Sequence, residues 1–141
     1  MNLNKFENSH LFNVNNKVVI IAGASKGIGL ALSKGFKRNG AFVIGFSRKK
    51  NYSNHFDLYF ECDVTNKDHL RCLCKKLKDK NIFLDVLVFS AGISNLKNDE
   101  DIKFEKLINV NLTSNYMFIN FLNSLINKNA SIINISSINA K

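Results

Sequence analysis

The residues of this sequence that could do chemistry stand just after apolar runs. The first group is Ala22-Gly23-Ala24-Ser25-Lys26-Gly27-Ile28-Gly29, with its glycines spaced G-x-x-x-G-x-G. Without Cβ atoms, such glycines let the backbone turn tightly and approach a pyrophosphate closely. The free amides at the start of the next helix, and its dipole, favour the same anion. A glycine turn alone is a weak signal, and a purely structural turn is the plain alternative. Here the turn sits between a predicted strand and a predicted helix, which is the context a dinucleotide site requires. Gly23, Ser25, Lys26, Gly27, Ile28 and Gly29 are therefore candidate cofactor contacts.

The second group lies at the end of the second predicted strand. A carboxylate there would bond the ribose 2′-hydroxyl of NAD. The sequence reads Phe46-Ser47-Arg48-Lys49-Lys50 instead, with no acid. Arg48 can make forked bonds to a 2′-phosphate, and Lys26 is expected to face the same region. These residues predict NADP as the cofactor, against the alternative of a solvated basic loop.

Five predicted strands and their helices must position these groups. Lys17–Ala22 is an apolar, β-rich run, and the helix from Ile28 to Arg38 ends at Asn39-Gly40. Ala41–Phe46 and Leu58–Cys62 read as the second and third strands. Asn66–Lys80 reads as a helix with Leu70, Leu73 and Leu77 as its buried stripe, capped by Thr65 or Asn66. Phe83–Phe89 is the fourth strand, Asp101–Asn127 a long amphipathic helix, and Ser131–Ile135 the fifth strand. Such alternation predicts an α/β, Rossmann-type doubly wound parallel sheet, with helices on both faces. Ligands of such sheets bind beyond the C-terminal strand ends. The expected organisation is a polar N-terminal extension over residues 1–16 and one nucleotide-binding domain over residues 17–141, incomplete after about the fifth strand.

Composition narrows the field. The net charge of +9 comes from scattered Lys and Arg without the aromatic interleaving of a nucleic-acid reader, so no nucleic-acid partner is expected. The longest apolar run is too short to span a bilayer, and the first 16 residues lack the apolar core of a signal peptide. Neither membrane association nor secretion is expected, and the location predicted is the cytoplasm. Cys62, Cys72 and Cys74 read as reduced thiols and not as metal ligands, because Cys72 and Cys74 are two apart on a helix and point to different faces.

The glycine run resembles the T-G-x-x-x-G-x-G fingerprint of the short-chain dehydrogenases/reductases, in their compact single-domain branch. The resemblance extends over nearly the whole chain. Asp63-Val64 looks like the family's pair at the end of the third strand, which implies adenine contacts through the carboxylate and a backbone amide. Phe89-Ser90-Ala91-Gly92 looks like the N-N-A-G motif, with Ala91 and Gly92 as the half that matches it. Asn111 in Asn109-Val110-Asn111-Leu112 looks like the catalytic asparagine, and Ser137 in Asn134-Ile135-Ser136-Ser137 like the catalytic serine. Two departures stand out: Ala22 replaces the usual Thr, and Phe89-Ser90 replaces Asn-Asn.

The resemblance implies an NADP(H)-dependent oxidoreductase acting on a small carbonyl or alcohol substrate, most similar to 3-oxoacyl-carrier-protein reductases. It implies that Ser137 holds the substrate carbonyl and that Asn111 supports a proton relay by kinking its helix. Ser137 has no base beside it and cannot act as a nucleophile. The family's proton-donating Tyr-x-x-x-Lys pair falls past Lys141, so the chain alone is expected to be inactive. The resemblance also implies homo-oligomers through the 101–127 helix. The rival reading is a non-catalytic dinucleotide-binding or interaction module.

Overall fold

The computed structural model describes residues 13–50, 53–94 and 104–137. Most of the 1–16 extension and the first three residues of the expected 101–127 helix lie outside these. Apolar runs form β1 (Val18–Ala22), β2 (Phe42–Ser47), β3 (Leu58–Glu61), β4 (Leu84–Phe89) and β5 (Ile126–Asn134), all parallel, in the order β3-β2-β1-β4-β5. The order reverses at β1, so the switch point lies between β1 and β4, where the glycine turn emerges.

Helices on both faces explain why the strands are apolar throughout. Val19, Ile21, Val43, Val86 and Val88 pack against Leu32 and Phe36 of α1 (Gly27–Arg38). Ile20, Ala22, Ile44, Phe46, Leu87 and Phe89 pack on the other face against Leu70, Leu73 and Leu77 of α2 (Lys67–Asp79) and Phe118 and Leu122 of α4 (Ser114–Leu122). Asn66 caps α2 by accepting from the amides of Asp68 and His69 at 2.9 and 3.1 Å. Gly40, at φ +81°, adopts the left-handed conformation that turns the chain out of α1.

Two local expectations are corrected. The long helix is not continuous. It comprises α3 (Phe104–Ile108), a π-helical turn at Asn109–Thr113, α4, and a 3₁₀ turn at Asn123–Leu125. The wide turn arises because the Ser114 amide reaches back five residues to the Asn109 carbonyl. The fifth strand begins at Ile126, five residues before Ser131. Asn127 donates to Asp85 at 3.0 Å, which pins this early segment beside β4 before the register shift between Leu84 and Val86. In the first turn of α1, Ile28 is 58% exposed, while Gly29 and Ser33 are buried.

β5 is the outermost described strand on its side, and its apolar residues are poorly covered. Ile132, Ile133 and Ile135 are 46%, 39% and 36% exposed. No helix among the described residues is long and apolar enough to cross a membrane.

Candidate functional site

The site is built where the loops leave the C-terminal ends of the strands. The amides of Gly23 and Ala24 both donate to the Phe46 carbonyl, at 2.9 and 3.2 Å, which fastens the glycine turn to the end of β2. Gly23 is at φ +78°, and a Cβ there would lie 2.8 Å from the Ala91 backbone. The turn therefore closes directly on the loop after β4. A Cβ on Gly29 would lie 2.4 Å from the Gly23 carbonyl oxygen, so only glycine lets α1 start this close to the turn.

Gly27 instead faces open space. Lys26, Gly27 and Ile28 are exposed there, and no acidic residue stands in the first turn of α1. The N-cap Lys26 makes no side-chain capping bond, so the helix end presents backbone donors outward, where an anion could take them. Arg48 is exposed one residue past β2, beside this turn.

At the end of β3, Asp63 is half-buried and accepts from the Thr65 amide at 2.9 Å and hydroxyl at 2.7 Å. The Asp63 amide donates to His69 Nδ1 at 3.2 Å. Val64 is buried among the α2-face core residues, so its side chain supports packing and only its backbone is placed for a ligand.

The other end of the site is an open cleft of about 490 Å³. Ala91, Gly92, Asn111 and Ser137 all line it, so residues from β4, the π-helical turn and the end of β5 converge. Asn111 bonds the Ile93 backbone twice, holding the loop after β4. Phe89 lies beneath the cleft, 5.9 Å from Phe118, which is 5.4 Å from Phe46. Where the resemblance implies a polar asparagine, this chain has aromatic packing. Ala22 is likewise wholly buried, so no polar group is required at that position.

The sequence matches the short chain dehydrogenase family model over residues 17–141. The chain belongs to the short-chain dehydrogenase family. The chain is 34% identical over 113 residues to the 15-hydroxyprostaglandin dehydrogenase [NAD(+)] of Bos taurus, covering 72% of this chain and 41% of that one. It is 29% identical over 134 residues to the 3-oxoacyl-[acyl-carrier-protein] reductase of Haemophilus influenzae, covering 86% of this chain and 55% of that one. Its fold superposes on the aldohexose dehydrogenase of Thermoplasma acidophilum with a TM-score of 0.78 at 32% identity, covering 88% of this chain and 50% of that one. The chain spans about half the length of these relatives.

Two features of the chain escape a reading of motifs. Asn115 lines the cleft one helical turn beyond Asn111, and its Oδ1 is buried without a hydrogen-bond partner among the described residues. Its spacing of four from Asn111 was the available signal. Tyr59 of β3 reaches the end of β2, where its hydroxyl meets that of Ser47. Among the described residues no group of three or more His, Cys, Asp or Glu side chains could hold a metal.

Proposed function

We propose that this chain carries the nucleotide-binding part of an NADP-dependent oxidoreductase that moves hydride between nicotinamide and a small carbonyl or alcohol substrate. The observation that carries the choice of NADP is the end of β2. Ser47 ends the strand and Arg48 follows it with no acid, and the Phe46 carbonyl ties this end to the turn bearing Lys26. Two cations at that spot suit a 2′-phosphate, whereas a 2′-hydroxyl would want an acceptor. The bovine relative is named as NAD-dependent, so the second-strand end must decide for this chain.

The residues fit the whole cofactor. Gly23, Ser25, Gly27, Ile28 and Gly29, with the uncapped start of α1, would hold the pyrophosphate. Asp63 and the Val64 amide would take the adenine, and Ala91 and Gly92 would border the nicotinamide end. The bound nicotinamide supplies or accepts the hydride. Ser137 would orient the substrate oxygen by a hydrogen bond, and Asn111 would act through the loop it holds and through the turn that it occupies.

A cytoplasmic location agrees with the three free cysteines. Self-association through the helix beginning at Phe104 agrees with its exposed stripe of Phe104, Ile108, Leu112 and Tyr116, spaced every four residues. Replacing Arg48 by Asp tests the cofactor choice. The variant should prefer NADH; an unchanged preference removes Arg48 from the reading.

A further inference from the structure

Gly45 lies in the middle of β2, in register with Tyr59 of β3. A Cβ on Gly45 would lie 2.4 Å from the Phe56 ring and 2.9 Å from the Tyr59 ring. The two aromatic rings thus rest on bare backbone, edge to face, with centroids 4.8 Å apart. This seat carries the Tyr59 hydroxyl toward the C-terminal end of the sheet, where it stands 2.7 Å from Ser47 Oγ.

The hydrogen bonds around that contact close a small ring. Ser47 donates to the Lys49 carbonyl at 2.9 Å and accepts from the Lys49 amide at 3.3 Å. A hydroxyl has one proton, and Ser47 commits its own to Lys49. Tyr59 is then the donor to Ser47, with the Lys49 carbonyl a longer alternative at 3.3 Å. Burial raises the pKa of the phenol, and its contacts with the Ser47 and Ser25 hydroxyls offset that only in part. The Phe46 carbonyl beside Ser47 accepts from the Gly23 and Ala24 amides, so the strand end that Tyr59 holds is itself fastened to the glycine turn. Arg48 sits between the two residues this network ties down.

We propose that Tyr59 is a positioning residue for nucleotide selectivity, holding the Ser47–Lys49 turn so that Arg48 meets a 2′-phosphate. The inference rests on the proposed nucleotide site and adds a determinant from β3, outside the loop that carries the charge. Adenosine 2′,5′-bisphosphate and adenosine 5′-monophosphate differ only in the group concerned. They are titrated calorimetrically into the 141-residue chain and its Tyr59→Phe and Ser47→Ala variants.

Tyr59→Phe keeps the aromatic seat and removes only the hydroxyl. It should weaken the bisphosphate about fivefold, the worth of one hydrogen bond, and leave the monophosphate within about twofold. Ser47→Ala should do the same. The double variant should lose no more than either single one, because both break the same link. Equal weakening of the two ligands would mean a merely structural role and overturns the proposal, as does no weakening of either. If the unmodified chain binds neither ligand, the nucleotide site itself is wrong and the proposal falls with it. Unmodified binding with an unmoved ratio in Tyr59→Phe overturns the proposal alone.

Discussion

Asn111 and Ile93 face each other as a pair with two hydrogen bonds: the Ile93 amide donates to Asn111 Oδ1 at 2.9 Å, and Asn111 Nδ2 donates to the Ile93 carbonyl at 2.9 Å. The loop after β4 thus borrows its order from a turn 18 residues away. Asn111→Leu should cost about 1–2 kcal/mol in urea unfolding, the worth of two neutral bonds less a small gain in helix propensity. Hydrogen exchange at the Ile93 amide should speed up with it. Unchanged exchange at that amide would show that the loop holds itself.

Asp85 predicts an acid-sensitive joint at the opposite end of the sheet. Burial alone would raise its pKa. The Val18 amide at 2.9 Å, the Asn127 amide group and the Lys17 ammonium outweigh that and lower it. A carboxyl whose folded pKa is depressed stabilises the fold above its unfolded pKa, about 4, and stops doing so as pH falls through the lower folded value. Asp85→Asn should therefore cost about 1–3 kcal/mol at pH 7. The gap from the unmodified chain should close below pH about 4. A gap that persists at pH 2 would mean the charge is not what matters.

Thiol reactivity should separate the cysteines. Cys72 is exposed, while Cys62 and Cys74 are buried. Burial first, and then the neighbouring Asp63 charge, push the Cys62 thiol up to about 12. A disulfide reagent at pH 8 should modify one thiol per native chain and three in denaturant, and Cys72→Ser should abolish the native reaction. Two rapid native reactions would contradict the placement of Cys62.

The uncovered fifth strand predicts self-association. Ile132, Ile133 and Ile135 present an apolar edge, and such edges pair with other chains. Light scattering after size exclusion should show the chain larger than its 16.0 kDa mass. Ile133→Glu should shift it toward the monomer. A clean monomer at high concentration in the unmodified chain would refute this.

Much of the fold was legible because the strands are apolar on both faces and short turns punctuate them. The glycine spacing alone located the closest backbone approach, since Gly23 and Gly29 stand where no Cβ fits. What was not legible depends on contacts distant in sequence. The π-helical turn at Asn109–Thr113 carries no breaker residue; its stretch of Asn, Val, Leu and Thr is as compatible with a regular helix. The early start of β5 depends on Asp85 meeting Asn127 across 42 residues. Tyr59 looked like any strand tyrosine, because its meaning comes from the bare backbone of Gly45 on the neighbouring strand.

In the proposed site a nicotinamide dinucleotide would occupy the glycine turn with its 2′-phosphate against Lys26 and Arg48. Fluorescence titration of the chain with NADPH and NADH at one salt concentration measures this directly. NADPH should bind about ten- to a hundredfold more tightly, the worth of one charge-assisted hydrogen bond. Equal affinities, tighter NADH, or no binding of either would contradict it.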